Sequence, residues 1–256
     1  MIISTTEERE HLSHIGMIVA TVLNKMLNAV SVGQTTKELD MYGKELLLHF
    51  GATSAPHKDY NFPGFTCISV NNEVAHGIPS EKIICAGDIV NIDVSAEKNG
   101  FYADTGGTIV LEPKPSEHIR LIETTKTALY KAISVATAGA NLNVIGKAIE
   151  SVAKEHGYRL VENLCSHGIG RKLHEEPSEI LGFYAPNERR ILKENMVITI
   201  EPFLSTDSRL ASEGKDGWTL IGNKGGFSAQ FEHTMIITKD TPIILTSLEP
   251  HIPNSF

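Results

Sequence analysis

The sequence predicts an α+β chain built from two similar halves, on three observations. Helix-period segments come in pairs, each pair is followed by short alternating strands, and landmark residues of the two series keep a constant offset. In the first half, Thr5-Thr6-Glu7-Glu8 reads as a capping box. Leu12, Ile15, Val19, Val22, Leu23 and Met26 then hold helical spacing to about Asn28. Gly33 breaks that pattern, and a second helix over Thr35 to Phe50 puts Leu39, Leu46 and Leu47 on one face before Gly51 ends it. Ala55 to Pro79 carries three prolines and short β-branched pieces such as Cys67-Ile68-Ser69-Val70, the pattern of strands joined by irregular loops.

Asp88 to Ser95 alternates Val90, Ile92 and Val94 with polar residues, and Phe101 to Leu111 follows the turn dipeptide Asn99-Gly100. This is the pattern of a β-hairpin with a two-residue turn. Glu112-Pro-Lys-Pro-Ser116 reads as a linker, after which helices over about 117 to 136 and 142 to 156 give way to strand-rich sequence. The pairs Gly33/Gly139, Gly51/Gly157 and Asp88/Glu194 each differ by 106. Ile89 to Asp93 and Val197 to Glu201 look alike, with their acids 108 apart, an even shift that keeps the strand face. One unit over 1–256 is expected, with halves at about 5–112 and 116–240.

At 256 residues, 41% apolar and 21% charged, the chain has ample length for a hydrophobic core. Its 23 Lys+Arg against 31 Asp+Glu leave a net charge of −8, which disfavours a large basic surface for DNA. Cys67, Cys85 and Cys165 are odd in number and lack C-x-x-C spacing, so neither a disulfide framework nor a thiolate zinc site is expected and a reducing, cytoplasmic setting fits. No apolar stretch approaches a membrane span, and the first ten residues lack a signal-type apolar core.

With Asn99-Gly100 as the turn, Lys98 faces Phe101, and Asp93 lies diagonally across from Asp104 on one face while Val90, Ile92 and Val94 take the other. Two acids converging there need a cation or a raised pKa, unless the face is simply solvated. Glu201 in Val197-Ile-Thr-Ile-Glu-Pro-Phe203 and Glu232 in Gln230-Phe-Glu-His-Thr-Met-Ile-Ile237 are further acids in β-branched surroundings that want partners. His167, in Ser166-His-Gly-Ile-Gly170, has small neighbours that leave an imidazole room to approach a ligand, or to sit as an ordinary loop histidine.

Taken together, these stretches resemble the type I methionine aminopeptidases of the creatinase/aminopeptidase "pita-bread" fold. Cys67-Ile-Ser-Val-Asn71, His76-Gly-Ile-Pro79, Val90-Asn-Ile-Asp93, Tyr102-Ala-Asp-Thr-Gly106, His167-Gly-Ile-Gly170 with His174-Glu175, Ile200-Glu-Pro202 and Gln230-Phe-Glu-His-Thr234 carry the likeness. The resemblance implies a pseudo-two-fold domain, a curved antiparallel sheet backed by two pairs of outer helices. It implies two divalent metal ions on Asp93, Asp104, His167, Glu201 and Glu232, with Asp93 and Glu232 touching both. It makes His76, His174 and Glu201 catalytic, places Phe62, Cys67 and Trp218 around the methionine side chain, and puts a monovalent cation near Asn71 and Ser228. The implied substrates are N-terminal methionine peptides and nascent chains at the ribosome, cleaved when the second residue is small, by a monomer with no DNA or membrane partner.

Four carboxylates balance two divalent cations in charge, and oxygen-rich ligation with one imidazole suits Mn, Fe or Co. Ser166, where a glycine usually precedes the metal histidine, and Leu173, where an aromatic is common, depart from the family pattern and bear on pocket shape. A prolidase or Xaa-Pro aminopeptidase would carry a large N-terminal domain, for which a first helix near residue 6 leaves no room. A type II enzyme would need an insertion, but only 27 positions separate His174 from Glu201. A non-catalytic peptide-binding protein of this fold would be expected to have lost ligands, and all five are present.

Overall fold

The first helix, α1 (Thr6–Ala29), begins at Thr5, whose side chain accepts a hydrogen bond from the Glu8 amide. Only half of the expected capping box forms, because the Glu8 carboxylate turns back to the Ser4 amide at 2.8 Å instead of the Thr5 amide. The full box closes on α2 (Thr36–His49), between Thr35 and Glu38. The computed structural model describes residues 1–248; residues 249–256, the end of the expected unit, lie outside it.

Between α2 and the hairpin, the chain forms β1 (Thr53–Ser54), α3 (Ala55–Tyr60), β2 (Cys67–Val70) and β3 (Glu73–Ala75). The short helix α3 was not expected in this stretch. Ser54 accepts from the His57 amide, Pro56 suits the first turn, and Asn61 ends the helix at a left-handed φ of 58°. The hairpin is β4 (Ile89–Lys98) and β5 (Phe101–Val110), paired from Lys98↔Phe101 through Ser95↔Asp104 and Asp93↔Gly106. That is the register implied by an Asn99-Gly100 turn, and both turn residues have positive φ.

The second series repeats the order with α4 (Ser116–Val135) and α5 (Asn143–Glu155), each within a residue or so of its expected range. It continues through β6 (Arg159–Leu160), β7 (Cys165–Gly168), β8 (Glu175–Leu181), β9 (Val197–Ile200) and β10 (Phe203–Ser205). The remaining strands are β11 (Ala211–Glu213), β12 (Leu220–Gly222), β13 (Ser228–Gln230), β14 (His233–Ile236) and β15 (Ile243–Ile244). Isolated bridges Thr35↔Ile83 and Asn141↔Ile191 close equivalent loops in the two series.

All strand pairings among the described residues are antiparallel. The curved sheet is assembled from a four-stranded piece around β4, a five-stranded piece in the order β15-β14-β9-β7-β8, and two three-stranded pieces, β13-β10-β6 and β11-β12-β3. One apolar cluster joins α1 and α2 to Val90, Ile92 and Val94; another joins α4 and α5 to Ile198, Ile200 and Met235. The two pairs of helices thus cover the sheet with apolar faces and leave the polar faces of β4, β5, β7 and β9 to meet one another.

Threonine hydroxyls sew that meeting line. Asp104 donates its amide to Thr234 Oγ1 at 2.9 Å, and that hydroxyl donates to the Asp104 carbonyl at 2.7 Å. Thr105 Oγ1 donates to the Glu232 carbonyl at 2.8 Å, the Glu232 amide to the Gly106 carbonyl at 2.9 Å, and Thr108 Oγ1 to the Gln230 carbonyl at 2.6 Å. Apart from the Glu232–Gly106 backbone bond, the groups that a regular ladder would satisfy are satisfied here by threonine hydroxyls, so two sheet pieces meet without merging.

Candidate metal centre and its apolar pocket

Asp93 and Asp104 enter the site from β4 and β5, diagonal to each other as the hairpin register requires, and both line the same cavity. Ser95, directly opposite Asp104, donates its hydroxyl to Asp104 Oδ1 at 2.7 Å. From the second series, His167 lies on β7 and donates Nδ1–H to the Gly168 carbonyl at 2.9 Å, the only polarity a carbonyl acceptor allows. This leaves Nε2 with a free lone pair, 3.6 Å from Glu201 Oε1. Glu201 and Glu232 do not sit within strands as their β-branched surroundings suggested. Each occupies a break, Glu201 between β9 and β10 and Glu232 between β13 and β14, where the chain changes sheet piece and the side chain can turn inward.

Ligand atoms of Asp104, His167 and Glu232, all buried, lie within 4.8 Å of one another. Asp93 adjoins this group as the diagonal neighbour of Asp104 on the same cavity wall, and Glu201 adjoins it through His167. Among the described residues, Asp93 Oδ1 and Glu232 Oε1 are buried carboxylate oxygens with no hydrogen-bond partner. An orphaned carboxylate oxygen is costly, and two of them facing a cluster of acids fit a group that a cation completes. Loss of surrounding water, then the neighbouring acids, push Asp93, Glu201 and Glu232 well above the usual carboxylate range in the metal-free protein. Burial, then His174, lowers His167 to about 4, so its ring is neutral and its contact with Glu201 is not an ion pair. A neutral imidazole is the form that binds metal.

Neighbouring polar groups hold the acids in place. The Glu201 amide donates to Ser166 Oγ at 2.9 Å, which gives the serine that replaces the usual glycine a definite task. Gln230, 1% exposed, donates Nε2–H to Glu232 Oε2 at 3.2 Å while its Oε1 accepts from Asn91 at 2.8 Å.

A cavity of about 390 Å³ opens onto the cluster and is lined by Phe62, Cys67, His76, His174, Trp218 and Tyr60 among others. Phe62 and Trp218 meet edge to face at 5.3 Å, and Cys67 is the strand partner of Asp93, so the apolar wall and the acids are direct neighbours. Trp218 is placed by a turn in which Asp216 accepts from the Trp218 and Thr219 amides. Leu173 also lines the cavity and leaves it wider than an aromatic would. His76 adopts a positive φ of 53° before Gly77 and projects its ring into the cavity, open to solvent on one side; enclosure by the walls, then His174, lowers its pKa. The His174 ring lies with its centroid 4.3 Å from that of His167, tilted by 52°, and burial lowers its pKa too. Asn71 and Ser228 also meet: the Ser228 amide donates to the Asn71 carbonyl at 3.0 Å, and Ser228 Oγ is buried without a partner.

All residues expected from the sequence around the cluster and the pocket are therefore in one place, and Asn71 with Ser228 form a separate pair. Sequence reasoning missed Ser95, Asn91, Gln230 and Tyr60. Gln230 stands two positions from Glu232 and could have been suspected from that spacing, whereas nothing local marks Tyr60.

Buried acids left short of partners beside a peptide-sized apolar cavity are the chemistry of a divalent-metal hydrolase. The chain belongs to metallopeptidase family M24, whose profile matches residues 10–239. It is 47% identical over 249 residues to methionine aminopeptidase 2 of Bacillus subtilis, covering 97% of this chain and 100% of that one. It superimposes on the methionine aminopeptidase from Rickettsia prowazekii with a TM-score of 0.92 at 36% identity, over 96% of this chain and 100% of that one. Against the prolidase from Pyrococcus furiosus the TM-score is 0.77 at 26% identity, over 97% of this chain but 66% of that one. The fold is the pita-bread fold, and the chain is a metal-dependent aminopeptidase.

Proposed function

We propose that this enzyme removes N-terminal methionine from newly made proteins and peptides whose second residue is small, with two divalent ions held by Asp93, Asp104, His167, Glu201 and Glu232. The observation that carries this reading is the direct adjacency of the Phe62, Cys67 and Trp218 wall to the carboxylate cluster. An unbranched thioether packs well on aromatic edges, and burying it contributes roughly 1.5–3 kcal/mol. The free α-amine of the same residue then reaches the acids, which fixes the scissile bond at the first peptide linkage. When bound, the metal ions activate water and polarise the scissile carbonyl.

The remaining steps belong to the chain. Glu201, a carboxylate that lines the cavity beside His167, takes a proton from the attacking water and returns it to the departing amine. His174 donates to the carbonyl oxygen as charge develops there, and His76 attends the leaving-group side. Little volume remains near these two rings for the second side chain, so its size controls turnover. Asn71 and Ser228 hold a monovalent cation through the Asn71 carbonyl and the orphaned Ser228 hydroxyl. Nascent chains at the ribosome are the natural clients of a single-unit cytoplasmic monomer.

The test is methionine release from a Met-Ala-Ser peptide by metal-stripped protein with Mn, Fe or Co added back singly, followed by a Met-X-Ser panel. Release that needs metal and falls with the volume of X supports the reading. Absence of release with every ion, or rates that follow the hydrophobicity of X, refutes it. Equal cleavage of Met-Pro and Leu-Pro peptides would instead favour an Xaa-Pro activity.

A further inference from the structure

Two histidines face each other across this site, and their ring nitrogens are committed in opposite ways. His167 Nδ1 gives its proton to the Gly168 carbonyl at 2.9 Å, so Nε2 is left as a lone pair. His174 Nδ1 lies 2.7 Å from the Tyr60 hydroxyl. The Tyr60 phenol, which partial burial and then Asp59 hold above the usual value, is protonated at neutral pH and is the better donor of this pair, while an imidazole nitrogen is the better acceptor. The bond therefore runs from Tyr60 to His174, and a neutral imidazole that accepts at Nδ1 must carry its proton on Nε2. Rings whose centroids lie 4.3 Å apart, tilted by 52°, thus present a lone pair from one and an N–H from the other.

We propose that Tyr60 is a positioning residue that fixes His174 as the Nε2–H tautomer, so that this ring donates to the substrate carbonyl and does not compete with His167 for metal. The proposal rests on the role given to His174 above. Tyr60 is well placed for it: α3 ends at Tyr60, the following Asn61 turns the chain in a left-handed conformation, and the Ser54 cap fixes the other end. Tyr60 is 44% exposed, so its hydroxyl is not required for packing.

The experiment compares wild type, Tyr60→Phe, His174→Ala and the double variant, each loaded with zinc and labelled with 15N at histidine. Two-bond proton–nitrogen spectra, with His174 assigned by its loss in His174→Ala, should show a non-protonated Nδ1 in wild type and a mixture of tautomers in Tyr60→Phe, with His167 unmoved. On a Met-Ala-Ser peptide, kcat of Tyr60→Phe should fall between about threefold and tenfold with KM within about twofold, and the same change in the His174→Ala background should have no effect. A protonated Nδ1 in wild type, or an equal loss in the His174→Ala background, overturns the proposal. Failure of wild type to release methionine would refute the function proposed above and leave the spectrum to decide the tautomer.

Discussion

Gly106 faces the site from β5, opposite Asp93, and Gly107 faces the other way onto α1, so the two adjacent glycines offer a controlled pair. A Cβ at Gly106 would lie 2.2 Å from Gln230 Oε1 and 2.6 Å from Nε2, whereas one at Gly107 would meet Leu27 Cδ1 at 3.2 Å. Neither glycine is in the left-handed region, so alanine fits both backbones. Leu27 can give way. The Gln230 amide cannot do so freely, because it is buried between Asn91 and Glu232 and moving it by about an ångström breaks both bonds. Overpacking costs about 1–3 kcal/mol and a stranded buried polar group a comparable amount, which places Gly106→Ala near 3 kcal/mol of destabilisation and Gly107→Ala under about 1 kcal/mol. For a chain of this size Gly106→Ala should lower Tm by roughly 6–12 °C and Gly107→Ala by less than about 4 °C. Glu232 also loses its orienting donor, so metal affinity should fall about tenfold or more in Gly106→Ala only. Calorimetric melting and titration of metal into stripped protein measure both quantities, and Gly106→Ala with Gln230→Ala should recover melting temperature without recovering affinity. Equal melting and equal affinity for the two single variants would refute the argument.

Asp104→Asn removes one negative ligand from the cluster and should lower metal occupancy, read by elemental analysis, together with methionine release; full values of both would exclude it as a ligand. Glu201→Gln keeps size and removes basicity, so turnover at saturating metal should drop by at least about a hundredfold, and near-normal turnover would exclude proton transfer by Glu201. Stripped of metal, the folded protein holds protons on Asp93, Glu201 and Glu232 that the unfolded chain has released above the usual carboxylate range. Its stability should therefore fall as pH rises through those elevated values, the sign for groups whose folded pKa is raised. Metal binding should expel those protons and tighten with pH, which calorimetry in two buffers of different ionisation heat will register as proton release.

The hairpin was legible because its register depends on one turn dipeptide and a strict alternation, so the diagonal of Asp93 and Asp104 could be drawn before any coordinates. The paired helices were legible for a similar reason: glycines with positive φ at 33, 51, 139 and 157 end or precede runs of helical period. What escaped depends on contacts distant in sequence. Tyr60 and His174 are 114 positions apart, and Asn91 and Gln230 are 139 apart. Strand β3 pairs with β12 across a similar span, and neither segment shows a long alternating pattern. The placing of Glu201 and Glu232 in breaks also escaped, because a run of β-branched residues does not announce where it changes sheet.

The threonine seam between β5 and the β13–β14 segment also bears on how the enzyme comes into being. A chain leaves the ribosome from its first residue onward and folds as it emerges. The β4–β5 hairpin is local and can close early, bringing Asp93 and Asp104 together while Glu232 and the residues that sew it to Thr105 and Gly106 are still to be made. Until then the two acids face each other without their completing partners. The full set of proposed ligands first exists when the segment around Thr234 docks on Asp104. An interrupted copy of this protease therefore carries half a site and no complete cutting centre, so the geometry itself withholds peptide cleavage from unfinished molecules.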